Sequence, residues 1–183
     1  MLIQILTQHP EAIGSILRQT PSWVWGLLAG FVALGSTQLR DRSASLLRVS
    51  IMPVAMTLFS LWGTVSAFGG SPLLAQVLAV WAAAAAISYA PTAVLRANAT
   101  YDPASRSYAL QGSVVPLLLI VSIFLVKYAV GVELAMAPQR VQDAQFVLTT
   151  AAVYGMFSGI FIGRAARLWR LAFRTPAAAA VAA

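Results

Sequence analysis

Lys127 is the residue in this sequence with the most pointed chemistry. It stands inside the apolar run Leu117–Val132, roughly 20 Å from the start of its segment at ~1.5 Å per residue. An ammonium at mid-bilayer costs ~2.5–3.5 kcal/mol on insertion scales. One reading lets the long stem carry the charge to the interface, with Tyr128 beside it in an aromatic belt. The other makes Lys127 an ion-pair partner or a ligand counter-ion. Glu133 follows six positions on, about 120° around a helix, so a direct intrahelical pair is awkward. Asp143 is a second partner within reach of the same end. Pro53, Thr57, Ser60 and Thr64 fall on one helical face. That face either lines a polar path or returns its hydroxyls to backbone carbonyls and neighbouring helices, Pro53 having left one carbonyl short of a donor. Lys127, Tyr128, Glu133, Thr57, Ser60 and Thr64 together form the candidate polar site.

Much other chemistry is excluded by composition. The chain has no cysteine, which removes disulfides, thiolate nucleophiles and cysteine-held clusters. Its single histidine, His9, cannot make a histidine-rich metal site, though it could act as a pH-sensitive group. Glu11, Asp41, Asp102, Glu133 and Asp143 all fall near or beyond the ends of apolar runs, so the buried carboxylate relay of a proton-coupled pump is missing. No nucleotide-binding, serine-hydrolase or zinc-protease signature occurs. The sequence assigns no catalytic residue, no cofactor and no metal, and points away from an enzyme.

Two further patterns concern packing and charge. Ala151, Gly155, Gly159 and Gly163 recur every four residues beside Ser158, a spacing that lets a second helix backbone approach closely. The partner is either a helix of the same chain or one of a second copy. Arg164, Arg167, Arg170 and Arg174 follow at helical spacing around Trp169. They read as a positive anchor at the membrane surface, or as a site for anionic lipid headgroups or a partner protein.

These residues need elements to position them, and hydropathy supplies helices. The 183 residues are 60% hydrophobic and 9% charged, against roughly 25% charged in soluble domains. Such a chain cannot cover itself with a water-facing surface. Five segments approach the ~20 apolar residues a crossing needs: residues 22–39, 47–68, 72–90, 114–136 and 145–173. Pro91 is expected to close the third. The expected fold is an all-α membrane protein, a bundle of about five transmembrane helices in one domain over residues 1–174. Residues 175–183 form an alanine-rich, disordered tail.

The net charge of +7 would suggest nucleic acid in a soluble protein, but no basic stripe interleaves with aromatics on a soluble face. Instead the arginines gather in the connections after the first and third segments and at the C-terminal end. The positive-inside rule puts that side in the cytoplasm and the N-terminus outside. Residues 1–19 lack a basic start and a small-residue cleavage site, so they are expected to stay attached. They are amphipathic, with a helix broken near Pro10 lying on the interface. Ile5–Pro10 is echoed by Ile16–Pro21 eleven residues later, either a binding element or a local duplication. The polar connection 96–113 contains the turn sequence Tyr101-Asp102-Pro103-Ala104-Ser105, which fits a small cytoplasmic hairpin or an ordinary loop.

Three stretches carry a resemblance: Ser60-Leu61-Trp62-Gly63 with Val65–Gly69; Gly112–Leu117 leading to Ile123–Tyr128; and Tyr154–Gly159 through Arg164–Arg170. From about Trp23 to Ala172 the chain resembles a family of small proteobacterial inner-membrane proteins of unknown function. Members of this kind tend to begin near the Trp23 region, so the doubled N-terminal element departs from them. The loop followed by Gly112-Ser113 and a long apolar run is also weakly similar to CcdC-like membrane proteins, a role that could not here involve thiols. The resemblance implies a bacterial inner-membrane setting and no mechanism. The expected function is that of a structural or accessory component of a membrane assembly, with a homo-oligomer or membrane-protein partner. The alternative is a small transporter or channel with its path near Lys127.

Overall fold

A computed structural model describes residues 10–95, 99–103 and 105–174. His9, the first copy of the N-terminal echo, Arg96 and the tail from 175 lie outside the described residues. Among the described residues the chain is mostly helical. The helices are α1 (Pro10–Gln19), α2 (Ser22–Ser36), α3 (Leu46–Phe68), α4 (Leu74–Val94), α5 (Val115–Met136) and α6 (Ala144–Arg174). A 3-10 turn, Pro138–Gln142, precedes α6. The strands are β1 (Arg42–Ser45), β2 (Ala99–Asp102) and β3 (Ser107–Leu110).

Four of the helices, α3 to α6, are long and apolar enough to cross a membrane. This is consistent with an all-α membrane protein, to which the sheet is a small addition. The fifth segment, α2, has 15 residues, about 22 Å at helical rise. Its end is prolonged by the turn bonds Thr37 N–H to Ala33, Gln38 N–H to Gly35 and Leu39 N–H to Ser36. Pro91 does not end the third long helix as expected; α4 continues through it to Val94. Thr92 Oγ1 donates to the Ser88 carbonyl at 2.8 Å and the Tyr89 carbonyl at 3.0 Å; the Ile87 carbonyl, four residues before Pro91, is the one that proline leaves without its helical donor.

Contacts group the elements into two compact units. The first holds α1, α2 and α5. The helices α2 and α5 run antiparallel: Ser113 N–H donates to the Gln38 carbonyl at 2.9 Å, Gly35 faces Leu117, and Phe31 meets Phe124 edge-on at 6.2 Å. A Cβ on Gly35 would come within 3.1 Å of the Leu117 Cα, so this close crossing favours a glycine.

The second unit holds the strands with α3, α4 and α6. Half of the apolar window of α6 is buried, against 18% for α3 and 17% for α4, so α6 is the element the other two pack on. It lies parallel to α4 and antiparallel to α3. Phe68, Val77, Val147 and Ala151 form a buried cluster at one end. The sheet sits at the other. Its order is β1-β3-β2, antiparallel throughout, with Ala44 opposite Tyr108 and Tyr101 opposite Tyr108. The turn sequence therefore closes a hairpin, and a third strand from the connection before α3 joins it. Ala44 and Tyr108 point inward and are buried, while Ser43, Thr100 and Ala109 face out. This is the alternation of a sheet with one packed face and one solvated face. Elsewhere the outward helix faces carry large apolar side chains, such as Trp62, 66% exposed, and Ile87, 74% exposed.

Candidate functional site

The six residues of the polar site fall in two different units. Lys127, Tyr128 and Glu133 belong to α5 in the first; Thr57, Ser60 and Thr64 belong to α3 in the second. Lys127 is half-buried. Tyr128 stacks on Phe124 at 6.3 Å, and its hydroxyl shares a 2.6 Å hydrogen bond with Thr20 Oγ1. That bond ties the α1–α2 junction to α5. Glu133 pairs with Arg140 at 3.5 Å, joining the end of α5 to the following turn. Asp143 caps α6, its Oδ1 accepting the Gln145 N–H at 3.0 Å and the Phe146 N–H at 3.3 Å. A carboxylate there suits the positive end of the helix dipole.

The hydroxyls of α3 turn toward protein carbonyls. Thr57 donates to the carbonyl of Pro53 at 2.8 Å and Thr64 to that of Ser60 at 2.9 Å. Pro53 lacks the N–H that would serve the Val49 carbonyl, four residues back, so the Thr57 bond does not replace the one that proline removes. Ser60 links three helices. It accepts from Trp81 Nε1 of α4 at 3.3 Å and donates to the Tyr154 carbonyl of α6 at 3.4 Å. Ser158 Oγ donates to that same carbonyl at 2.9 Å. Among the described residues no buried side-chain nitrogen or oxygen lacks a partner.

The small-residue stripe of α6 meets α4 of the same chain. A Cβ on Gly155 would strike the Trp81 carbonyl oxygen, one on Gly159 the Ala85 carbonyl and Ser88 Oγ, and one on Gly163 Thr92 Oγ1. The close approach also lets Ser88 Oγ reach the Met156 carbonyl at 2.9 Å. Helices can touch backbone to backbone here only because these positions lack side chains.

The arginines lie at the sheet end. Arg164 and Arg167 are half-buried and Arg170 is exposed; the side chain of Arg174 is outside the described residues. Arg170 Nη1 donates to the Ala93 carbonyl at 3.1 Å, serving the last turn of α4. Trp169 Nε1 donates to Ser50 Oγ of α3 at 2.8 Å. Tyr108, fully buried, donates its hydroxyl to the Leu168 carbonyl at 3.0 Å and packs on Tyr101 at 4.9 Å. Burial, aided by Tyr101, raises the Tyr108 pKa above its ordinary value. Arg42 of β1 has its pKa lowered by burial and by the nearby charge of Arg48. Tyr108 and Arg42 were not among the candidate site residues the sequence offered, and Trp169 entered only as the aromatic among the arginines. Tyrosine and tryptophan beside arginines read only as interface anchors, and nothing local paired Arg42 with Leu110.

Among the described residues no three His, Cys, Asp or Glu side chains gather as a metal site. What the fold and these contacts define is a mostly helical protein whose apolar helices are compatible with a membrane location. The chain belongs to the DUF6622 family, a family of unknown function, matched over residues 1–179. The match takes in the N-terminal element that the resemblance had set apart. No curated protein and no solved structure matches the chain, and the likeness to CcdC-like proteins finds no counterpart.

Proposed function

We propose that this chain is a five-crossing component of the bacterial inner membrane with a structural or accessory role, its N-terminus outside and its C-terminus in the cytoplasm. The observation that carries the reading is the pairing of β1 with β3. These strands come from the connections on either side of the α3–α4 pair. Backbones that hydrogen-bond to each other must be on one side of the bilayer, so α3 and α4 together cross it twice or not at all. Their length and apolarity favour two crossings. Arg40, Arg42, Arg48 and Arg106 lie on or beside the strands, which supports a cytoplasmic sheet. For α2, the helical path from Ser22 to Leu39 covers about 27 Å, close to a ~30 Å hydrocarbon core.

The hydroxyls and small residues inside the second unit serve packing, which supports an accessory role over a transport path. Purification in mild detergent tests this. The reading expects a protein partner or a lipid-dependent oligomer to co-purify. A clean monomer indifferent to lipid overturns it.

A further inference from the structure

In the first unit, α2 stops short of the helix it packs on. Their register is fixed along the whole contact. The Gln38 carbonyl accepts the Ser113 N–H, Gly35 meets Leu117, Phe31 meets Phe124, and the Thr20 hydroxyl meets Tyr128. Thr20 already donates to the Ile16 carbonyl at 2.8 Å, so Tyr128 is the donor in that last bond. It pins the end of α1 to α5 at this height. Ser113 and Tyr128 stand about 22 Å apart along α5, whereas a hydrocarbon core is ~30 Å thick. The helix α5 runs on to Met136, about 12 Å past Tyr128, with Glu133 on the way at about 7.5 Å.

Among the described residues that extension is uncovered on the face α2 uses. Leu117, Phe124 and Tyr128 mark the face, and Gly131 and Ala135 continue it at helical spacing. Both are exposed, and nothing described lies within 4 Å of a Cβ placed on Gly131. The chain therefore turns away at Thr20 instead of climbing this face of α5. The residues at the height of the turn are those of a membrane surface. Arg18 and Gln19 are exposed, the hydroxyls of Thr20 and Tyr128 meet there, and Lys127 is the neighbour of Tyr128. Trp23, 68% exposed, and Trp25 stand at the start of α2, where an aromatic belt belongs.

We propose that the first unit thins the membrane beside it: phospholipid headgroups descend along α5 to the height of Thr20 and Tyr128, and their phosphates meet Arg18 there. Were the hydrocarbon to reach Glu133 on this side, Arg18, Gln19 and the Thr20–Tyr128 pair would lie inside it, and charge in hydrocarbon is costly. A short crossing is accommodated by thinning the bilayer or by oligomerising. The exposed cation and the tryptophan pair suit anionic headgroups, not a second copy, above the turn. This inference rests on the membrane reading proposed above.

The test is a depth measurement by electron paramagnetic resonance on the full-length chain in vesicles of phosphatidylglycerol and phosphatidylcholine. One nitroxide is attached to one introduced cysteine at a time, the chain having none of its own. Gln19→Cys, Gly30→Cys and Leu39→Cys are exposed positions along the path of α2. The labels at 19 and 39 are expected at headgroup depth, relaxed by a water-soluble nickel chelate. The label at 30 is expected in hydrocarbon, relaxed by oxygen. A label at 19 lying about 7 Å or more beneath the phosphates overturns the proposal. So does a label at 19 shielded from both relaxants, since protein would then fill the space above the turn. A label at 30 open to the nickel chelate would defeat the membrane reading itself, a separate outcome.

Discussion

At the scale of single residues, hydroxyl and indole groups hold the second unit together at two levels. Tyr108 fixes the sheet to α6 through the Leu168 carbonyl. Tyr108→Phe removes one hydrogen bond and leaves that carbonyl short, so it should cost about 1 kcal/mol in thermal unfolding. The raised pKa of Tyr108 gives a sign. The native state holds the phenolic proton above pH 10, where the unfolded chain has released it, so stability present below pH 10 declines as pH rises toward the native pKa. Tyr108→Phe should flatten that alkaline decline. Ser60→Ala breaks the Trp81–Ser60–Tyr154 link and should cost about 0.6 kcal/mol, the average for hydrogen bonds between membrane helices, and no more than about 1.7 kcal/mol. Arg106 holds φ 48° in the hairpin turn. A left-handed conformation costs a non-glycine residue roughly 1–2 kcal/mol, so Arg106→Gly should raise stability, by up to about 1 kcal/mol after the glycine's own entropy cost. For an accessory protein, Lys127→Met should leave solute flux across proteoliposomes unchanged; a lost flux would restore the transport alternative.

At the scale of elements, the α4–α6 contact decides the packing of the second unit. Gly159→Val places a branched side chain against the Ala85 carbonyl and Ser88. It should destabilise by about 1–3 kcal/mol or more. Gly26→Ala provides the contrast: nothing lies within 4 Å of its Cβ position, and alanine should be neutral or gain up to ~1 kcal/mol in helix propensity. Both are measurable as shifts in melting temperature. The glycine stride was legible because spacing by four is a local signal. The long helices were legible for the same reason, since apolar length is written in consecutive residues. The sheet was half legible. Asp102-Pro103 announced a turn, yet β1 reads Arg-Ser-Ala-Ser, without the branched or aromatic residues that mark strands. Only its pairing with residues 107–110 makes it a strand, and such long-range pairing leaves no trace in local sequence. Pro91 misled because the rule that proline ends helices is a local one, whereas α4 is held on α6 along this stretch, Gly159 against Ala85 and Gly163 against Thr92. The candidate polar site divides between the two units, because a shared helix face says nothing about which other helix that face meets.

At the scale of the whole molecule, the proposed topology is defined by the side of the bilayer each connection occupies. The pairing of β1 with β3 holds the connections before α3 and after α4 together, and the proposed topology puts the 3-10 turn before α6 on the opposite side of the bilayer. The absence of cysteine makes single-cysteine labelling clean, because every signal comes from the introduced thiol. Thr100 on the outer face of the sheet and Gln139 in the 3-10 turn are both exposed. The direct measurement is the labelling of Thr100→Cys and Gln139→Cys by a membrane-impermeant maleimide in intact spheroplasts and after lysis. Gln139→Cys should label before lysis and Thr100→Cys only after it. Labelling of both thiols from the same side would contradict the account.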